Sequence, residues 1–406
     1  MPTTVVQHDL EAPVVVVGAG AVGLTAAIAL ARQGRAVTLV GQPGAPRPGR
    51  TVALLEGSVD LLRQLDLWPS IAPAAEALRT MRIVDATGSL FAPPPVAFKA
   101  EEIGLSAFGY NVDNATLEAA LWQAAGTTSG LTLASSAATG FAFKADAADV
   151  RLDTGEVLRA SLVVAADGRA SLARKAAHIG VRTTEHPQRA MTATFAHAAP
   201  HGNVSTEFHT REGPFTLVPL PGEGQRRSSL VWVMSPAAAR RRRAAGDAAF
   251  VRDAERQCAR LLGAMTLEGA IGSFPIITQA ATALIGPRLV LVGEAAHALP
   301  PIGAQGLNLS FRDVAALVRH VAGTPPVADP GNAEILRAFE RERRRDVAGR
   351  IAAVDLLNGS LLSRGVATDA LRGAGLMALG RVAPVRRFLM RHGLAPGTGR
   401  SVRPSA

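Results

Sequence analysis

Three short stretches carry residue types whose spacing could do chemistry. The first, Gly18-Ala19-Gly20-Ala21-Val22-Gly23, follows the β-branched run Val14–Val17 and opens a helical pattern. In such a turn the first glycine permits the bend, the second admits a pyrophosphate to the backbone, and the third lets helix and strand pack closely. The helix end then offers unpaired N–H groups and a positive dipole to the phosphates. The second stretch is Val163-Val164-Ala165-Ala166-Asp167-Gly168-Arg169, with Ser171 and Arg174 after it. The third, Val292-Gly293-Glu294-Ala295-Ala296-His297, runs into Pro300-Pro301-Ile302-Gly303-Ala304-Gln305-Gly306-Leu307-Asn308-Leu309. Prolines followed by glycines let backbone lie flat against a planar ring. The helix from Leu307 then aims its positive end, with the Leu307 and Asn308 amides, at charge developing on that ring.

These motifs need a scaffold. Val14–Val17, helix Val22–Gln33 and strand Ala36–Val40 form a βαβ unit, the start of a Rossmann-like α/β sheet. The acid that usually meets ribose hydroxyls should close the second strand, but Gly41-Gln42 stands there. Gln42 could serve as a neutral substitute, or the nearby Arg47 and Arg50 could favour a 2′-phosphate. Further strands are expected at Leu131–Leu158, Leu162–Ala166 and Leu289–Val292, with helices at Ser58–Leu67, Asn114–Ala125 and Leu307–His320. From Thr183 to Ile277 the pattern changes to alternating strands, Ala190–Ala196, Val204–His209, Phe215–Leu220 and Ser229–Met234, then a helix over Ala248–Leu262. This predicts an inserted β-sheet domain for substrate, residues 78–108 and 181–283. The cofactor domain would comprise 13–77, 109–180 and 284–325. A C-terminal helical region, 326–406, is expected to break near Gly359, Gly365 and Pro384.

Composition narrows the function classes. With 48% hydrophobic and 19% charged residues, the 406-residue chain can bury a large core, which excludes a disordered or collagen-like protein. Cys258 is the only cysteine, so neither an internal disulfide nor a cysteine metal cluster can form. His197 and His201 are four apart, but Pro200 and Gly202 deny them a shared helix face, and no metal is expected. Residues 12–31 carry no charge, yet four valines before a glycine cluster predict strand, turn and helix rather than a membrane span. The first ten residues predict no secretory signal. The net charge is +10, and of 43 basic residues only Lys99, Lys144 and Lys175 are lysines. Aromatics are 4% and do not interleave with the arginines, so nucleic acid is not expected. Arg240–Arg243, Arg341–Arg345 and the tail segment from Val385 to His392 could instead meet anionic headgroups or form solvated helix faces.

Taken together and in order, the three motifs resemble those of the FAD-dependent hydroxylases related to para-hydroxybenzoate hydroxylase. Gly303–Asp313, Arg50-Thr51-Val52-Ala53-Leu54 and Tyr110–Leu117 look more narrowly like the ubiquinone-biosynthesis hydroxylases of the UbiH/UbiF type. The resemblance, over roughly Pro13 to Arg350, implies FAD held by Gly18, Gly20, Gly23, Gln42, Arg50, Asp167, Gly293, Glu294, Gly306, Leu307 and Asn308, with Pro301 and Gly303 at the reacting ring. Glu294 stands where the family more often has Asp. The implied reaction is hydroxylation of a polyprenylated phenol by O2 carried as a flavin C4a-hydroperoxide. NAD(P)H or a protein donor would supply electrons. The resemblance further implies a cytoplasmic enzyme peripherally held at the inner membrane, with possible membership of a quinone-biosynthesis complex. A hydroxylase of a small soluble aromatic, or a non-catalytic flavin-binding scaffold, is the alternative.

Overall fold

The computed structural model describes residues 13–44, 49–88, 93–301, 303–322, 328–362, 375, 377 and 381–391. Arg47, Ile302, Gly365 and His392 lie outside them. Four consecutive valines suit a strand covered on both faces, and Val14–Val17 is buried throughout. It pairs in parallel with Val37–Val40 on one side and Leu162–Ala165 on the other. Leu131–Ala134 extends the sheet beyond Val37–Val40, while Leu289–Leu291 and the antiparallel edge Ile285–Gly286 extend it beyond Leu162–Ala165. Helix Ala21–Ala31 crosses from the first strand to the second, packed against helices Asn114–Thr127 and Gln305–Ala322. Its small alanines make that close crossing possible.

The second layer is an eight-stranded sheet in the order His297–Ala298, Met265–Ala281, Val181–His197, Arg227–Met234, Gly213–Leu220, Val204–Thr210, Thr80–Asp85, Val96–Lys99. One face carries Phe195, Phe208, Phe215, Leu230 and Trp232, covered by Ala238 and Ala239 of one helix and by Phe250 and Ala254 of the next, with Cys258 at its end. The opposite face meets the first layer through a small sheet of Thr51–Leu55, Gly109–Asp113 and Ala75–Ala77. There Thr51 Oγ1 bonds Ser229 Oγ at 2.9 Å, and Asn111 Nδ2 donates to the Pro219 carbonyl at 2.8 Å.

Several elements differ from the pattern-based expectation. The 17-residue strand Met265–Ala281 was not anticipated. Its glycines and Pro275 hide the alternation, and its pairing with Val181–His197 shifts register near Arg189 and Thr192. The helix expected over Ala248–Leu262 forms as Asp247–Gln257 and stops short of Leu262, and a further helix, Pro236–Ala244, precedes it across Gly246, whose φ is +83°. Helix Ala333–Leu362 runs through Gly359, since one interior glycine costs only about 1 kcal/mol. Pro384 sits in the first turn of helix Ala383–Leu389, where a missing N–H is harmless, and starts that helix rather than breaking one. Among the described residues no helix is long and apolar enough to cross a membrane.

One buried carboxylate ties the layers together. Asp313, 1% exposed on helix Gln305–Ala322, accepts from Arg343 Nε at 2.8 Å, His297 Nε2 at 2.7 Å and the Gly293 N–H at 3.0 Å. Burial alone would raise its pKa. The His297 and Arg343 charges, with the hydrogen bonds from His297 and Gly293, outweigh burial and hold it below the usual carboxylate range. Replacing Asp313 by Asn is expected to lower the unfolding free energy by about 3–5 kcal/mol, the usual effect of breaking a buried pair. A depressed folded pKa makes this stabilisation complete above about pH 4 and progressively lost below it. Denaturant unfolding of both proteins near neutral pH and near about pH 3 checks this. The gap should narrow in acid, and an unchanged gap would refute the pairing.

Candidate active site

The glycine turn is shaped by contact. A Cβ on Gly18, whose φ is +111°, would lie 2.4 Å from the Ala166 carbonyl oxygen, and one on Gly23 would lie 1.8 Å from that of Gly18. Both positions therefore demand glycine so that the turn can seal against the end of strand Leu162–Ala165. Gly20 is different. Among the described residues only Glu118 Oε1, at 3.8 Å, would come within 4 Å of a Cβ there. Gly20 is also the N-cap of helix Ala21–Ala31, with no side-chain cap and no acid in the first turn. The helix thus presents its first N–H groups to open space at the carboxyl edge of the parallel strands, where α/β sheets bind ligands. A cavity of about 900 Å³ beside Arg32, Asp66 and Gln123 opens at the amino-terminal ends of those strands, away from this turn.

The missing acid has a steric explanation. At Gly41, φ is +145°, and a Cβ would stand 3.0 Å from the Ala19 nitrogen and 3.2 Å from its Cβ. A side chain at the end of the second strand would be strained by this φ and would crowd the turn. Gln42, exposed, donates from Nε2 to the Ser135 carbonyl at 2.7 Å. Its amide oxygen is left as an acceptor.

The second and third motifs converge on the same edge. Asp167 Oδ2 accepts from the Leu172 and Ala173 N–H groups at 2.8 and 3.3 Å, while its Oδ1 is buried without a hydrogen-bond partner among the described residues. Arg174, buried, donates to the Arg169 and Ala295 carbonyls at 2.7 and 2.8 Å and so ties the two motifs together. Burial lowers its pKa, and the Asp167 charge opposes that shift. Gly293 packs on Val22 of the glycine-turn helix, where a Cβ would meet Val22 Cγ1 at 3.1 Å. The Glu294 side chain is 62% exposed, with Oε2 3.5 Å from Arg169 Nε. Pro301 is half-buried. Next to it the backbone is open: a Cβ on Gly306 would meet nothing within 4 Å among the described residues, and one on Gly303 only Gln305 Nε2 at 3.7 Å. Leu307 lies in the first turn of helix Gln305–Ala322.

Asn308 is the residue whose placement changes its reading. Its side chain is spent within the protein: Oδ1 accepts from the Leu55 N–H at 2.8 Å and Ser58 Oγ at 2.7 Å, and Nδ2 donates to the Ala53 and Ala304 carbonyls. Only its backbone can face a ligand. These bonds seat the third motif against strand Thr51–Leu55, and so bring it beside Arg50. The Arg50 guanidinium lies 5.2 Å from the centre of the Phe274 ring on the eight-stranded sheet. His297, 1% exposed, is committed to Asp313 and stands as a structural group. Asp313 and Glu118 have no role in the motif-based reading, and Arg174 enters it only as part of the second motif. Asp313 had a signal, since it falls four residues after Leu309 and four before Leu317 on an otherwise apolar stripe.

An open Gly20, an uncapped helix end, an orphan carboxylate oxygen and an open Gly303–Gly306 backbone fit a dinucleotide with a planar ring. Residues 11–353 match the family described as FAD binding domain. The chain is 34% identical over 395 residues to ubiquinone hydroxylase UbiL of Rhodospirillum rubrum, covering 95% of this chain and 90% of that protein. It is 29% identical over 391 residues to 3-demethoxyubiquinol 3-hydroxylase of Escherichia coli, covering 94% and 98%. Among solved structures, p-nitrophenol 4-monooxygenase PnpA from Pseudomonas putida matches the fold with a TM-score of 0.78 at 19% identity, over 95% of this chain and 98% of that one. The chain belongs to the FAD-binding-domain family, among the FAD-dependent aromatic hydroxylases, and FAD is its cofactor.

Proposed function

We propose that this protein hydroxylates the ring of a polyprenylated phenol in ubiquinone biosynthesis, using FAD and O2. The carrying observation is a strip of half-buried side chains, Ile83, Thr216, Val218, Val231 and Phe274, on the face of the eight-stranded sheet opposite its aromatic core, the face that also carries Ser229, the partner of Thr51. A sheet centre covered on both sides would bury such residues fully. This strip makes an apolar wall suited to a phenol and the start of a prenyl chain. The full-length kinship with UbiL supports the same reading. In this division of labour, residues 13–77, 109–180 and 284–325 hold FAD, and residues 78–108 and 181–283 bind the substrate.

When bound, FAD supplies the reductive activation of O2. The chain's residues position the reactants. Gly18 and Gly23 shape the turn, Gly20 would admit the pyrophosphate, and Gln42, Arg50, Asp167, Gly293 and Glu294 would hold the sugar and ribityl portions. Gly306, the Leu307 and Asn308 amides, Pro301 and Gly303 would hold the ring. The apolar sheet face keeps water from the reacting atoms. NAD(P)H or a protein donor delivers the electrons.

The lipid substrate gives the tail helix a role at an anionic membrane surface. Arg386 bonds Glu102 at 2.7 Å and holds helix Ala383–Leu389 on the cluster of Val96, Phe98, Phe108 and Met390. Outward, Val385 is 47% and Leu389 45% exposed, beside exposed Arg387 and Arg391. Apolar and basic groups on one short surface suit insertion at headgroup depth.

Four outcomes are expected. Incubated with FAD, a reductant, air and 2-prenylphenol, the protein should yield a product one oxygen heavier by mass spectrometry. A strain lacking the gene should accumulate an under-hydroxylated quinone precursor, and an unchanged quinone profile would defeat the assignment. Gly20→Ala, which meets no protein atom closely, should leave apoprotein melting unchanged yet weaken FAD binding about tenfold or more by flavin fluorescence titration. In flotation assays the protein should bind phosphatidylglycerol-containing vesicles over phosphatidylcholine alone, and Arg387→Glu with Arg391→Glu should abolish that preference.

A further inference from the structure

A polar cluster on the substrate face is left unexplained by the cofactor motifs. Along strand Val204–Thr210, Phe208 joins the aromatic core on one side, so Glu207 and His209 project from the other. Glu207 stands opposite Thr216 and Ile83 on its two neighbours, Thr216 opposite Val231, and Val231 opposite Thr192. This row runs beside the row holding Ser229, the partner of Thr51. On its other side lies the row of Ala190, Val233 and Phe274, over which Arg50 rests. Glu207 is therefore on the face that meets the FAD layer, two strand spacings, roughly 10 Å, from Val231.

The hydrogen bonding of the pair is incomplete. Glu207 Oε1 accepts from His209 Nε2 at 2.8 Å, and Oε2 accepts from Thr216 Oγ1 at 3.3 Å. The His209 side chain is 5% exposed, and its Nδ1 is buried without a hydrogen-bond partner among the described residues. Donation from Nε2 leaves Nδ1 as the bare acceptor. The Glu207 side chain is 21% exposed, so its carboxylate keeps an accessible acceptor site beside the apolar strip. A carboxylate held by two donors beside a half-buried apolar strip has little reason to be there unless something polar arrives.

We propose that Glu207 is the base that takes the phenolic proton of the substrate, with His209 as its positioning residue. The inference rests on the hydroxylase reading. On transfer, the phenol O–H bond breaks, the proton moves to a Glu207 oxygen, and the electron pair stays on the phenolate. That charge spreads into the ring carbons ortho and para to oxygen and makes them nucleophilic toward the oxygen atom supplied by the FAD-dependent reaction. The hydroxylated carbon then releases its proton to water, and Glu207 returns its own to the phenolate oxygen.

The test compares the FAD-loaded wild type with Glu207→Gln, Glu207→Asp and His209→Asn, using 2-prenylphenol and a polyfluorinated 2-prenylphenol already ionised at the assay pH. Binding of 2-prenylphenol to the wild type should produce the ultraviolet phenolate band. In Glu207→Gln the band should vanish and hydroxylation fall about 100-fold, a typical general-base effect, with FAD affinity unchanged. Glu207→Asp should retain the band, which separates loss of the carboxylate from misfolding. His209→Asn should weaken both band and rate less than Glu207→Gln. The fluorinated phenol should restore most turnover to Glu207→Gln. A wild-type band and rate in Glu207→Gln, or an equal defect with the fluorinated phenol, overturns the proposal while the hydroxylase reading stands. A wild type that hydroxylates neither phenol overturns both.

Discussion

A carboxylate in an apolar interior is tolerable only when every lone pair has work, and Asp313 meets that condition by drawing four segments to one point. The strand-end turn at Gly293, the following strand through His297, the central helix and the long helix through Arg343 all converge on it. None of these partners is dispensable, because removing one strands a charge or a donor out of water. Asn308, five residues earlier on the same helix, performs the neutral version of this task toward Ala53, Leu55 and Ser58. One helix is thus locked on both sides, and its first turn is fixed beside the open backbone of Gly303 and Gly306.

Close backbone approach is the second constraint, and it acts in two directions. Gly18 and Gly23 let turn, helix and sheet meet without side chains between them, which creates the open cradle at Gly20. The same closeness at Ala19, with the positive φ of Gly41, makes a side chain there strained and disfavours the customary carboxylate. The eight-stranded sheet divides its faces along similar lines. Phe215 and Trp232, 5.0 Å apart edge to face, belong to the side packed for stability. The other side leaves Ile83, Val218 and Val231 half-covered.

Local patterns carried much of this. Four valines before a glycine cluster, a helix beginning at Gly20 and a second strand after Gln33 are readable because period, β-branching and glycine punctuation act over a few residues. The strand Met265–Ala281 was illegible for the converse reason: its identity comes from pairing with Val181–His197 across a wide gap in sequence, and bulges erase its alternation. Gly246 caps the start of one helix and Pro384 sits in the first turn of another, so a residue type that commonly ends helices can also stand where one begins.

The sequence by itself determined the parts whose physics is local: the dinucleotide turn, the presence of two further loop motifs, the α/β layer and the excess of arginine. Only the tertiary structure decided what those parts face. It spent the Asn308 side chain inside the protein, gave Asp313 its three partners, left Asp167 Oδ1 unsatisfied and set Glu207 on the sheet face that meets the FAD layer. The reason is that a side chain's role depends on the desolvation and neighbours it meets after distant segments pack, and no window along the chain contains that information.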